Sequence, residues 1–501
     1  MPWWKEAVFY QVYPRSFLDA NGDGVGDLRG VRERLDHLSW LGVDAVWLSP
    51  FYRSPMVDFG YDISDHCDVD PLFGDLGEFD ALLGAAHRRG IRVLVDLVPN
   101  HTSDRHPWFV ESRSSRSSRK RDWYIWRDGY DGTPPNNWRA AFGGPAWTWD
   151  DATRQWYLHL FLPEQPDLNW ANEEVVEAMH GVMRFWLDRG VDGFRVDVIH
   201  CIGKDELLPD QPPEFGEVDR VGIHDYAGTH ALIRSMRAVL DRYPGGRVMV
   251  GEVNLRETIR IATYYGEGDE LHLAFNFLSL DAGWHAGAWT TLIETVARDL
   301  GPDAWPTWVL SNHDTPRHRT RFGGSEHRAR AAAVLLLTLR GTPFVYAGEE
   351  LGLGDALIRP ELRVDPGGRD GCRAPLPWDA APGHGWSGAD PWLPWPPEAG
   401  RRNTRALRRD RSSILHLYRR LLTFRNASPA LRHGSLELLP APDDVVAYKR
   451  ELDSECIVVA VNFGEHPAAV GLDGEWTLVL ETAGYDGALP PDSAVVLAKA
   501  A

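Results

Sequence analysis

Ile91-Arg-Val-Leu-Val-Asp96-Leu-Val-Pro-Asn100-His101 is an apolar run that stops at a polar cluster. The same pattern ends at Gly193-Phe-Arg195-Val-Asp197, at Arg247-Val-Met-Val-Gly251-Glu252-Val253 and at Ser311-Asn-His313-Asp314. Buried parallel strands read as unbroken apolar runs, because helices cover both faces of the sheet. Several strands that each end in Asp, Glu, His or Arg are the mark of a (β/α)8 barrel, which builds its site at the C-terminal strand ends. The fold class expected is therefore α/β, a (β/α)8 barrel.

Working outward, residues 7–13, 43–49, 91–97, 192–197, 247–252, 307–311 and 343–347 read as strands. Helical apolar spacing separates them at 28–41, 79–89, 173–189, 227–242 and 325–340, an alternation that predicts parallel βαβ units. Residues 102–172 break the pattern. They are rich in Ser, Arg, Trp, Pro and Gly, and too long for an ordinary loop, so an inserted subdomain after strand 3 is expected. Its Arg113–Arg121 stretch reads as a solvated loop. A second excursion spans 351–410, and helix 411–426 completes the barrel. From 427 to 501 short alternating runs predict a C-terminal antiparallel β-domain, so the barrel itself comprises 1–101 and 173–426.

The net charge of −19, from 53 basic and 72 acidic residues, argues against nucleic acid or an anionic membrane as partner. The 22 Trp and 15 Tyr lean toward a carbohydrate, since aromatic faces suit the C–H faces of sugar rings; most of them serve packing. Four scattered cysteines form no CxxC pair, no secretory leader precedes Ala7, and no run reaches the ~20 residues of a membrane span. A cytoplasmic enzyme is expected, with no organic cofactor; its oligomeric state is not readable.

Asp197 and Glu252 suggest glycosyl transfer through a carboxylate nucleophile and a carboxylic acid whose environments split their pKa values. Arg195, two residues before Asp197, shares its strand face and is expected to hold it ionised. Taken alone, that segment also reads as an Arg–Asp pair that merely stabilises a strand end. Asp19-Ala-Asn21-Gly-Asp23-Gly-Val25-Gly-Asp27 alternates oxygen donors with glycines, the logic of a calcium loop, although it lacks the twelfth-position Glu of an EF-hand. A metal-free Asp/Asn/Gly turn is the plainer alternative.

The sequence resembles the α-amylase family of glycoside hydrolases (family 13), and most of all its bacterial α-glucosidase and oligo-1,6-glucosidase branch. The resemblance rests on Gln11-Val-Tyr-Pro-Arg-Ser-Phe17, the 19–28 loop, Gly60-Tyr61-Asp62, the four strand ends in order, and Gln165-Pro-Asp-Leu-Asn169. It implies Asp197 as nucleophile, Glu252 as general acid/base and Asp314 as the third acid, binding hydroxyls of the sugar being cleaved. It implies hydroxyl binding by His101 and His313, a structural role for Asp96, and stacking of Tyr61 on the sugar. It further implies that Asp58, paired with Arg373 of Gly368-Arg-Asp-Gly-Cys-Arg373-Ala-Pro-Leu-Pro-Trp378, closes the pocket behind the non-reducing end; here Ala374, Leu376 and Pro377 replace the commoner Thr, Met and Gln. The 19–27 loop would hold a structural Ca2+ or Mg2+ through Asp19, Asn21, Asp23, Val25 and Asp27. Val198, after the nucleophile, leans toward isomaltose-type linkages.

The expected activity is exo-hydrolysis of short α-glucosides with retention and some transglucosylation. The alternatives are an α-glucosyltransferase or a sucrose or trehalose isomerase of the same fold. A non-catalytic relative such as a transporter subunit would carry a membrane span and lose the carboxylates.

Overall fold

The protein is described here by a computed structural model covering residues 2–212, 224–301, 304–388 and 390–499. Eight strands form one sheet: β1 (Phe9–Val12), β2 (Ala45–Leu48), β3 (Arg92–Leu97), β4 (Gly193–Val196), β5 (Val248–Gly251), β6 (Leu273–Ala274), β7 (Thr307–Val309) and β8 (Thr342–Tyr346). Their order is β6-β5-β4-β3-β2-β1-β8-β7, and every pairing is parallel. Residues of β1, β2, β4, β5 and β8 are all buried, as continuous apolar strands require.

The sheet closes at its ends through a side chain. Thr307 Oγ1 donates to Ala274 O (2.9 Å) and accepts from Asn276 N (3.1 Å), tying β7 to β6 where no ladder pairs them. The (β/α)8 reading therefore holds. Sequence pattern yields seven of the strands; the eighth, β6, is two residues long and too short to show a period. The helix at Ala286–Asp299 also went unread, and the expected helix over 28–41 is two helices, Leu28–Glu33 and Leu35–Leu41, broken at Arg34. Gly193 opens β4 at φ +155°, and a Cβ there would lie 2.0 Å from Val248 O, so the strand-opening residue must be glycine.

Between β3 and β4 the chain forms the helix Pro107–Arg113 and a small antiparallel sheet of Trp126–Arg127, Gln155–Leu158 and Trp147–Asp150. Ile125, Trp138, Trp147, Leu158 and Leu160 pack with Val198, Cys201 and Leu208, so this layer sits on the turn that follows β4. The return is stitched to β3's exit: Leu168 N donates to Asn100 O (2.9 Å) and Thr102 N to Pro166 O (3.2 Å). Arg121 was expected in a solvated loop, yet it is buried, donating to Ser112 O, Thr153 and Gln155.

The C-terminal sheet has β9 (Ser435–Leu439), β10 (Val445–Leu452), β11 (Glu455–Asn462), β12 (Trp476–Glu481) and β13 (Ser493–Lys499) in the order β9-β10-β11-β13-β12, all antiparallel. Buried Arg450 bolts it to the barrel by donating to Thr338 O (2.6 Å), and to the stretch just before β9 by donating to Leu431 O (3.0 Å) and Gly434 O (3.1 Å). Among the described residues, no helix is long and apolar enough to cross a membrane.

Candidate active site

Neighbouring strands fix the two central acids through their main chains. Asp197 N donates to Leu97 O at the end of β3 (2.8 Å), and Glu252 N donates to Val196 O at the end of β4 (2.8 Å). Asp96 and Arg195 are register partners across β3 and β4, so their side chains rise on one face. Arg195, fully buried, donates through Nη1 to Asp96 (2.8 Å) and Asp197 (2.6 Å), and through Nη2 to Glu252. Trp47 Nε1 donates to the other oxygen of Asp96 (2.8 Å), which makes Asp96 the orienter of Arg195.

One guanidinium thus serves three carboxylates. Burial raises the Asp197 pKa well above the usual carboxylate range; Arg195 opposes this, while Glu252 and Asp96 add to it. Arg195 acts on Asp197 in the expected downward direction, but desolvation, with two neighbouring acids, outweighs it. Asp96 is likewise pushed up, to about 6, chiefly by burial. Val198, buried and β-branched, sits at φ 35° and ψ 42°, and its N–H donates to Glu252 Oε2 (3.2 Å).

After β7, Asn312 Oδ1 accepts from Asp314 N (2.9 Å) and Thr315 N (2.8 Å), a turn that presents His313 and Asp314. Gln11 Nε2 donates to His313 Nδ1 (2.8 Å), leaving Nε2–H to face Tyr61 OH (2.6 Å). Burial lowers His313 to about 3, so it is neutral. Burial alone would raise Asp314, yet it lies well below the usual range. With His313 uncharged, Arg369 and Arg373 are the cause; they donate to Asp314 at 2.9 and 3.0 Å. Tyr61 stacks on the His313 ring at 5.4 Å.

The partner of Asp58 is not Arg373. Arg369 Nη2 donates to Asp58 Oδ1 (2.6 Å) while its Nη1 holds Asp314. Fully buried Arg373 instead binds Asp365 (3.1 Å), Asp314 and His313 O (2.7 Å). The expected Asp58–Arg373 pair is thus replaced by Asp58–Arg369, with Arg373 one layer behind. Both arginines belong to one hexapeptide, Arg369-Asp-Gly-Cys-Arg373-Ala, and spacing alone does not say which one faces Asp58. Gln165, quoted above only as a marker, is also in the site: its amide nitrogen lies 3.0 Å from Asp58 and 3.1 Å from His101 Nε2. His101 is neutral, lowered by burial to about 4.

The 19–27 loop lies apart from these acids. Asp19 accepts Gly22 and Gly24 N–H, and Asp27 accepts Ala20 and Gly30 N–H. Asp23 accepts from Val25 N (2.8 Å) and Asn21 Nδ2 (3.1 Å). Burial and then the charge of Asp19 push the Asp27 carboxyl up. The oxygen donors are of the kind a hard divalent cation takes, and the carboxylates are here satisfied by main-chain and side-chain N–H groups.

The family description "Alpha amylase, catalytic domain" matches residues 11–434, and a domain of unknown function, DUF3459, matches 433–496. A probable alpha-glucosidase of Rhizobium meliloti is 44% identical over 96% of this chain and 93% of its own. An oligo-1,6-glucosidase of Parageobacillus thermoglucosidasius is 39% identical over 92% and 91%. The crystal structure of an alpha-glucosyl transfer enzyme superposes with a TM-score of 0.94 at 40% identity over 100% of both chains. A barrel with acids clamped on one arginine, matched along nearly its whole length, places this chain in the α-amylase family of glycoside hydrolases.

Proposed function

We propose that the chain is a retaining exo-α-glucosidase of short α-glucosides, maltose and isomaltose types included. The observation that carries this reading is the Arg195 clamp, which holds Asp197 and Glu252 on adjacent nitrogens of one guanidinium. Retention needs two carboxyls close together, roughly 5–5.5 Å apart, rather than the wider gap that admits a water. Asp197, as the ionised carboxylate, attacks the anomeric carbon while Glu252 passes its carboxyl proton to the leaving oxygen. Glu252, then ionised, takes a proton from the water that opens the glycosyl ester. Asp314, His313, His101 and Gln165 supply hydroxyl partners. Arg369, spanning Asp58 and Asp314, would close the rear of the pocket and admit one sugar there. None of the four cysteines forms a disulfide, which supports a reducing compartment. The 19–27 loop would hold Ca2+ or Mg2+ as a structural clasp.

The structural similarity to an alpha-glucosyl transfer enzyme favours one second reading, in which the glucosyl ester passes to a sugar rather than to water. Incubation with maltose, isomaltose, sucrose and trehalose separates the two. Glucose appearing first as the α-anomer by proton NMR supports hydrolysis with retention. A new disaccharide as main product supports transfer or isomerisation, and first-formed β-glucose would sink the nucleophile assignment.

A further inference from the structure

Three residues without a part in that chemistry meet just behind it. His200, Cys201 and His224 each offer a ligand atom, and these atoms all lie within 4.8 Å of one another. His200 and Cys201 are buried in the turn after β4, and the His200 and His224 rings approach edge to face at 4.9 Å. His200 Nδ1 lies 3.1 Å from the main-chain oxygen of Glu252. A carbonyl accepts only, so Nδ1 carries the hydrogen and Nε2 keeps the lone pair. A ring tethered through one nitrogen with the other free is how metal-binding histidines are oriented. Burial lowers the His200 pKa, which favours the neutral ring. Asp225 N donates to His200 O (3.1 Å), which fixes the 224–225 turn against the His200 turn.

We propose that His200, Cys201 and His224 form a site for a borderline-soft divalent cation such as Zn2+. Two imidazoles and a thiolate suit such an ion and not Ca2+ or Mg2+; three protein ligands leave a fourth position for water. Binding releases the Cys201 proton to solvent and needs no redox partner.

The test uses the full chain with excess Ca2+ present to fill oxygen-donor sites. Co2+ titration followed by absorption should give a thiolate-to-cobalt charge-transfer band saturating at one ion per chain. Cys201→Ser should abolish the band, and His224→Asn should weaken binding by at least about 10–100-fold, the loss seen when even a supporting partner is removed. Zn2+ should displace Co2+ and bleach the band. Both variants should keep basal activity. No thiolate band, or the same band in Cys201→Ser, overturns the site.

Discussion

At the scale of single residues the assignments rest on who shares which guanidinium. Asp197→Asn cannot form a glycosyl ester, and kcat should fall by several orders of magnitude while the fold persists; more than about a tenth of wild-type kcat would remove Asp197 from the role. Glu252→Gln should spare aryl glucosides in the first step and respond to azide by forming β-glucosyl azide. Equal losses on aryl and natural substrates without azide rescue would count against it as the acid. The two arginines of the 369–374 hexapeptide should separate. Arg369→Ala strips Asp58 of its cation, and an unpaired buried carboxylate costs about 3–5 kcal/mol, so kcat/KM on maltose or isomaltose should drop by about a hundredfold or more. Arg373→Ala leaves Asp58 its Arg369 partner but takes one cation each from Asp314 and from buried Asp365, which Arg369 also holds, so kcat/KM should fall less than in Arg369→Ala and Tm should drop. If Arg373→Ala gave the deeper loss in kcat/KM and Arg369→Ala little, the sequence-based pairing would have been right after all. The acids, Arg195 and the histidines are legible in sequence because each ends an apolar run. Arg369 and Gln165 are not, because loops bring them in and loops carry no period.

At the scale of elements, the shortest strand tests the closure. β6 escapes sequence reading because two residues show no alternation, yet its end carries the seam through Thr307. Thr307→Val removes a hydroxyl and leaves Ala274 O and Asn276 N unpaired in a buried place. A loss of about 1–3 kcal/mol is expected, a Tm fall of a few degrees, with Thr307→Ser near wild type; identical Tm values for both would show that the seam is closed by other contacts. The 19–27 loop should likewise respond as a unit. Chelation by EDTA should lower Tm and added Ca2+ restore it, with the response lost in Asp27→Asn. Insensitivity of the wild type to both would leave the loop a metal-free turn.

At the scale of the whole molecule, buried histidines set the acid limit. Burial lowers His66 and His101 to about 4, His272 and His313 to about 3 and His106 to about 2. Each is neutral when folded but takes a proton when unfolded below about pH 6.5. The stability they confer is full above that value and is lost as pH falls, by about 1.4 kcal/mol per histidine per pH unit. Asp62 and Asp96, raised to about 6, act in the opposite sense only below pH 6. Tm should therefore fall from pH 7 to pH 6, before ordinary carboxylates titrate; a flat Tm over that unit would contradict the neutral state of these rings. Layer order was readable from the alternation of runs, whereas the docking of the C-terminal sheet through Arg450 was not, since a lone arginine in a strand reads as solvent-facing. The main-chain bonds from Asp197 to Leu97 and from Glu252 to Val196 carry one more consequence. They seat the two acids on adjoining strands, and adjoining strands in any sheet run about 4.7–4.9 Å apart. That lattice constant nearly equals the gap a double displacement requires. Under the proposed double displacement, retention would then follow from the spacing of the backbone, and side-chain drift around the barrel would retune which glucoside is taken without inverting the sugar released.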